Sequence, residues 1–481
     1  MEKQPSPPNP EKIQRELTRL LAQRDKPKAP GYMIYFVLII TVIYGADTIT
    51  TDIGTQMQSI LASRIFAPVV GEEFAVARMS ALGFLASLAG GLALFYKPLA
   101  DRFGRKIFLV LNTLGMGLGL VLVGLATNIP VYLLGACVIA FFVPHDVQMV
   151  YIFESTPAKH RGKFFAIIKA LATMALLLIP VLRNAFITET DFSDWRKIYI
   201  LPAVGIFVIA ILALFLIRES DAFLDNRIHM LSMTEEEKAV ARKKKQDVDS
   251  QGGFFKALKF AFTHKQLFWL AVAQGLFMFG MVITTYYETT MTYGYARQFL
   301  SQGVQLDAAK ASAAVLVTQA LLLFPFSNAV CQVLQGFLSD GIGRKPTAII
   351  MSGITIVGFV LFFLGANLDW SPYLVGLFAG AAVGSYWAAS DIFGMMETES
   401  VPTNLRSSTI SALPIFSGMI YSVSLLVSMI LINVLGDAKI GIVCLLIAIP
   451  GMAVSLLIMS AKVKETKGID LGSVHGDEFE D

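Results

Sequence analysis

Twelve apolar runs, each about as long as or longer than the ~20 residues a helix needs to cross a bilayer, constrain this 481-residue chain more than any other feature. They lie at 31–60, 74–97, 106–126, 130–153, 162–187, 198–217, 267–290, 311–337, 346–366, 371–396, 407–434 and 438–461, and are numbered here spans 1 to 12. Length alone would allow about three soluble domains. The runs overrule that reading, because 55% of the chain is hydrophobic and only 16% charged, where a soluble protein carries roughly 25% charge. The expected fold is therefore an all-α membrane protein with twelve transmembrane helices. Pro144, Pro180, Pro325, Pro414 and Pro450 fall inside spans, which membrane helices tolerate where neighbours satisfy the freed carbonyls.

Basic residues orient the spans. The loops after spans 2, 4, 8 and 10 hold Arg102, Arg105, Lys106, Lys159, Arg161, Lys163, Arg344, Lys345 and Arg406, whereas the opposite loops hold only Arg64, Arg196, Lys197, Arg297 and Lys439. Both termini are thus expected on the cytoplasmic side of a multi-pass cell (plasma or inner) membrane protein. The expected organisation is a cytoplasmic segment 1–30, a six-helix bundle 31–217, a cytoplasmic linker 218–265 with short helices, a second bundle 266–461 and a tail 462–481. The polar, Pro-rich start is not the pattern of a cleavable signal peptide. Residues 11–24 align Ile13, Leu17, Leu20 and Leu21 on one helical face, which fits either an amphipathic surface helix or a flexible tail. Cys137, Cys331 and Cys444 all lie in apolar runs, at spacings suited neither to disulfides nor to a metal. No metal and no cofactor is expected.

The two halves carry the same punctuation. Asp101-Arg102-Phe103-Gly104-Arg105-Lys106 follows span 2, and Asp340-Gly341-Ile342-Gly343-Arg344-Lys345 follows span 8. Glu154 and Arg161 flank Pro157 after span 4, as Glu399 and Arg406 flank Pro402 after span 10. Two motifs recurring in one order imply parallel, pseudo-symmetric six-helix halves. Chemically, Asp101, Arg105, Glu154 and Arg161, with Asp340, Arg344, Glu399 and Arg406, form a charge network able to close one face of a two-bundle protein. The competing reading is that they only fix topology, but topology needs basic residues and not the matched acids.

These motifs resemble the major facilitator superfamily, and within it the sugar-porter branch. Further similar segments are Gly45-Ala46-Asp47-Thr48, Trp195-Arg196, Glu219-Ser220, Tyr286-Tyr287 and Glu465-Thr466-Lys467-Gly468, so the likeness spans the chain. The resemblance implies the major facilitator fold, a central cavity lined by spans 1, 4, 7 and 10, and alternating access. Asp47 matches the span-1 acid of proton-coupled members. Four positions depart from the pattern: Lys97 replaces a Gly in the first turn motif, Leu134 replaces a span-4 Arg, Leu276 and Phe277 stand where a sugar-holding Gln pair is expected, and Gly394 replaces a span-10 Trp. A glucose-like pocket is poorly supported.

Ionisable residues inside spans cost several kcal/mol unless paired or wet, which makes them functional candidates. The transport or coupling candidates are Asp47 and Asp52 in span 1, Asp146 in span 4, Glu288 in span 7 and Asp391 in span 10. Asp146 and Asp391 each precede their motif Glu by eight residues, which puts both roughly 12 Å inside the boundary at ~1.5 Å per residue. Lys169 reaches the depth of Asp146, so a structural pair competes there with a substrate role. Its counterpart in the second half is Pro414, so Asp391 is expected to be the freer acid. Glu288 is expected to be a gate or a solvated residue, and Arg183 is a basic partner available to any of these acids. His145, Tyr286, Tyr287 and Trp387 are the cavity candidates, the aromatics offering cation–π faces.

The chain reads as a secondary transporter of a small polar or cationic organic solute, proton-coupled because desolvated carboxylates take up protons readily. The alternatives are a sugar or polyol facilitator or symporter, and a transporter-like nutrient sensor. The sequence has no phosphate-binding Gly-Lys-Ser/Thr loop, nucleophile elbow or zinc helix, so an enzyme is not expected. The expected partners are a small-molecule substrate, protons and the lipid bilayer, with no nucleic acid, and the chain is expected to be a monomer.

Overall fold

The computed structural model describes residues 10–27, 31–96, 99–143, 145–156, 161–188, 192, 194–234, 237, 262–401 and 406–467, and these contain helices and no strand. Eight of the spans are single helices, with bounds close to those expected: Ala75–Tyr96 (span 2), Arg105–Gly124 (span 3), Trp195–Leu216 (span 6), Leu306–Gly341 (span 8), Arg344–Asn367 (span 9), Pro372–Glu399 (span 10), Arg406–Leu435 (span 11) and Ile440–Lys462 (span 12). The other four are interrupted. Span 1 is Tyr32–Gln56, a bend at Met57, then Gln58–Leu61. Span 4 stops at Phe142 and restarts at His145. Val143, at ψ 64°, leaves the helical region because the ring of Pro144 disfavours it in the preceding residue. Span 5 passes through a 3-10 turn, Ala175–Leu177, between Arg161–Met174 and Leu178–Phe186. Pro180 lacks the N–H that the Leu176 carbonyl would accept, which favours the tighter turn there. Span 7 has a similar turn, Met278–Gly280, between Lys265–Phe277 and Met281–Ser301, so it runs well beyond the expected residue 290.

The helices pack as two pseudo-symmetric six-helix bundles. Span 2 packs on span 4, span 3 on span 4 and span 6 on span 3; span 8 packs on 10, span 9 on 10 and span 12 on 9. Span 10 approaches span 8 through Gly376, Gly380 and Gly384, where an added Cβ would lie 1.8 Å from the Ala320 carbonyl oxygen, 2.1 Å from that of Phe324 and 2.7 Å from the Asn328 backbone. Small residues at every fourth position let membrane helices come this close. Across the bundles span 5 meets span 8, span 2 meets span 11 and span 1 meets span 7. Phe84, Phe95, Phe215, Phe337, Leu446 and Leu457 project from the surface, as expected of a chain whose outside faces hydrocarbon.

The amphipathic segment forms the helix Pro10–Arg24. It lies on a linker helix, Asp221–Ser232, through Arg24 Nε–Asp225 at 2.7 Å and Arg227 Nη2–Glu16 at 2.9 Å. Of the charged run beyond it, Thr234 and Glu237 are described and cap each other reciprocally, a helix-start signature; the rest lies outside the described residues.

Candidate functional site

At the end that carries the basic turns, each half builds the same cage. Gly104 at φ +109° and Gly343 at φ +114° open spans 3 and 9 in a region only glycine enters easily. Each leaves room for a carboxylate to seat against the first turn. Glu219 accepts from the N–H groups of Arg105 at 2.9 Å and Lys106 at 3.3 Å. Glu465 accepts from those of Arg344 at 2.8 Å and Lys345 at 3.0 Å. Such carboxylates satisfy the orphan donors of a helix N-terminus. Arg105 then reaches Glu154 at 3.1 Å, and Arg344 reaches Glu399 at 3.3 Å and Asp340 at 2.9 Å. Ser220 donates to Glu154 as Thr466 donates to Glu399. Among the described residues, the contacts of each cage stay within its own half. There they act as braces of each bundle. Two of the braces, Glu219 and Glu465, are only partly visible in the motifs. The side chains of Asp101, Arg161 and Arg406 lie outside the described residues, as does Lys97.

Burial and donors act on the two capping acids in opposite proportions. Desolvation dominates at Glu219 and lifts its pKa above the usual 4.5, against the pull of the Ser220, Lys106 and Arg105 N–H groups. At the more open Glu465 desolvation also lifts, but the N–H groups of Lys467, Arg344, Lys345 and Thr466 together win and hold its pKa below 4.5.

The opposite end is where the halves are tied. Glu288 of span 7 is fully buried, as is Arg183 of span 5, and they pair at 3.1 Å. The bend at Met57 frees the N–H of Ser59, which donates to Glu288 at 3.0 Å while its hydroxyl donates at 2.7 Å. Arg183 spends its other donors on the Gln56 carbonyl, Thr318 Oγ1 at 3.0 Å and the Ala314 carbonyl at 3.3 Å. Gln58 accepts from Thr289 at 2.7 Å. Further out, Lys310 pairs with Glu72 at 2.6 Å, and Asp437 accepts from the N–H groups of Val76 and Ala77 at 2.7 and 2.9 Å. The solvated alternative for Glu288 is excluded by its burial. Its partner, Arg183, was legible only as a nearby base.

Between these ends lies one more tie. Lys169 of span 5 pairs with Asp391 of span 10, across the halves. This corrects one expectation, since Asp391 is held by a base; the competing Lys169–Asp146 pair falls on a side chain outside the described residues. Depth counting placed Lys169 correctly, but Asp146 and Asp391 share that depth by symmetry, so the choice between halves was not legible. Both partners keep part of their surface exposed, 18% for the Lys169 side chain and 35% for that of Asp391. Tyr44, unmarked by any motif, lies within electrostatic reach of Asp47 and of Asp391. Asp47 is buried, and Asp52 is half-buried within reach of Tyr287.

The remaining candidates separate. His145 and Asp146 open the helix His145–Ser155, but their side chains lie outside the described residues. Tyr286 is buried, and Tyr287 stacks on Phe324 at 4.9 Å and 11°, so one of its faces is covered by a ring. Trp387 is 40% exposed and meets Tyr386 edge-on. Phe277, in the place of a sugar-holding Gln, stacks on Tyr386 at 5.0 Å. Leu134 is exposed, and a Cβ on Gly394 would meet nothing within 4 Å. The sequence reading also passed over Glu397, a buried acid of span 10 whose Oε1 has no hydrogen-bond partner among the described residues.

The comparisons agree with this architecture. Residues 32–424 match the family described as Major Facilitator Superfamily. Among curated proteins the chain is 30% identical over 166 residues to the multidrug resistance protein MdtG of Klebsiella pneumoniae (strain 342), covering 32% of this chain and 39% of that one. It is 26% identical over 133 residues to the glucose transporter GlcP of Staphylococcus epidermidis, covering 27% and 29%. The chain thus spans less than half the length of these relatives. Among solved structures, the inward open xylose transporter XylE from E. coli superposes with a TM-score of 0.57 at 18% identity, over 92% of this chain and 98% of that one. A bacterial homologue of the human lysosomal transporter Spinster, inward-facing and unoccupied, gives 0.54 at 15%, over 90% and 96%. With the repeated cages, the crossed bundles and a family match over most of its length, the chain belongs to the Major Facilitator Superfamily.

Proposed function

We propose that this protein is a secondary transporter that moves a small polar or cationic organic solute by alternating access, coupled to protons through Asp391. The observation that carries this reading is the Lys169–Asp391 pair, a partly wet ion pair that joins the two halves beside Tyr44 and Asp47. An ionised Asp391 holds Lys169 and with it span 5 of the other half. A proton, or the cationic group of a substrate, that takes the place of Lys169 at the carboxylate removes this tie and lets the bundles rock. The excess of basic residues at the cage end supports a cytoplasmic place for that end and both termini. The chain then stands with its outer face shut. The boundaries 31–217 and 266–461 divide the rocking units, and the protein acts as a monomer in the cell membrane, without enzymatic activity.

The test is uptake into proteoliposomes of purified protein, with a panel of tetraethylammonium, ethidium, D-xylose and D-glucose at two external pH values. Asp391→Asn is expected to abolish pH-dependent accumulation while the protein stays monodisperse. Unchanged pH-dependent uptake by that variant would refute the coupling role. A sugar or polyol substrate is the second reading, supported by the likeness to GlcP and XylE. Thermal stabilisation by the sugars and not by the cations would favour it, since a bound solute stabilises the folded state.

A further inference from the structure

We propose that Asp437 is a conformational latch: from the loop between spans 11 and 12 it caps the start of span 2 in the opposite half and so holds the outer face shut. The inference rests on the alternating-access reading and names a residue that reading does not use.

The first-turn N–H groups of a helix have no partner inside it. At the start of span 2, those of Val76 and Ala77 point at the two oxygens of a single carboxylate, Asp437 Oδ2 at 2.7 Å and Oδ1 at 2.9 Å. The exchange is reciprocal, because the backbone N–H of Asp437 donates to the Glu73 carbonyl at 2.8 Å. Asp437 is 1% exposed, although it sits in a connecting loop. A loop carboxylate would normally stay in water, so its burial needs the partners it has found. A negative charge at the positive end of the span-2 dipole is favourable, and here that helix end and the charge belong to different bundles.

The consequence for gating follows from geometry. The outer face cannot open without separating span 2 from span 11, which breaks all three bonds and returns both the carboxylate and two helix-end N–H groups to water. Asp437 therefore favours the closed state specifically, and leaves each bundle's own packing alone. The cages at Glu219 and Glu465 place a carboxylate on a helix start within one bundle; Asp437 uses the same chemistry between bundles.

The experiment measures the distance between spin labels at Val69→Cys and Ser301→Cys, exposed positions at the outer end of the first and second halves, with Cys137, Cys331 and Cys444 replaced by Ala. Asp437→Ala is expected to raise the open-to-closed ratio about tenfold, as for the loss of a cap worth ~1.4 kcal/mol. Asp437→Asn, which keeps the shape and a neutral acceptor, should give an intermediate shift and covers the case in which the alanine variant fails to fold. Asp307→Ala, an exposed acid at the start of span 8, is the control and should not move the distribution. A distribution that moves with Glu288→Gln but is the same for both Asp437 variants as for the control overturns the latch alone. Labels that report no change with any variant, or with any solute of the panel, overturn the alternating-access reading and the latch together.

Discussion

The Arg183–Glu288 pair offers the largest single perturbation. Both side chains have no exposed surface, so removing one leaves the other charged in a place that water does not reach. Breaking a buried pair in this way costs about 3–5 kcal/mol. The cost falls on the closed outer face only, because opening that face would bring the stranded guanidinium to water. At ~1.4 kcal/mol per tenfold, Glu288→Ala should lower the closed-to-open ratio by about a hundredfold to a few thousandfold. Glu288→Gln should sit near the lower figure, since its amide oxygen still accepts from Ser59 and Arg183. The control is the double variant Arg183→Met with Glu288→Met, which removes both charges at similar volume; replacing a buried pair by apolar groups is often neutral. The Val69–Ser301 label distance reads all three. A double variant as open as Glu288→Ala would refute the reasoning, because the effect would then come from lost shape and not from a stranded charge.

Two further outcomes follow from the cages. Gly343→Ala places a Cβ 2.5 Å from Glu465 Oε2 at φ +114°, so strain of about 1–3 kcal/mol adds to a displaced cap and the thermal midpoint in detergent should fall; Gly205→Ala, with nothing within 4 Å, should leave it level or raise it. The opposite pKa shifts predict opposite pH limbs. Glu465, held below 4.5, contributes stability that is present above 4.5 and lost as the pH falls through its depressed value. Glu219, lifted above 4.5, contributes stability that is present below 4.5 and lost as the pH rises through its raised value. Melting curves across about pH 3 to 7, a range that brackets about 4.5 on both sides, should therefore lose their acid limb in Glu465→Gln and flatten above it in Glu219→Gln.

The twelve spans and the repeat were legible because a bilayer admits few backbone solutions and because the Gly turns recur in order. Proline accounts for the interruptions at Val143 and before Pro180, but Pro325, Pro414 and Pro450 sit in unbroken helices, and in span 7 Met278–Gly280 tightens beside Tyr386 and Met452 with no proline to announce it. Span 7 also ran past its expected end, because Thr292 and Tyr293 are polar by composition yet buried against Ser59 and Glu72 of the other half. Depth along the membrane normal could be counted from the motifs, and it put Lys169 and Asp391 level. Which acid meets Lys169 depends on how the bundles face each other, a rotation that no local residue pattern encodes.

Among the described residues, span 5 forms two ion pairs with the other half, at Lys169 and at Arg183, fourteen residues apart by their numbering, or ~21 Å along a helix. One rod thus carries two charges at different depths of the membrane, with the tight turn at Ala175–Leu177 between them. In the proposed cycle, a solute or proton that frees the inner charge would change the load on the outer one through the helix itself. The coordination of two doors that must never stand open together would then reside in the stiffness of a single element.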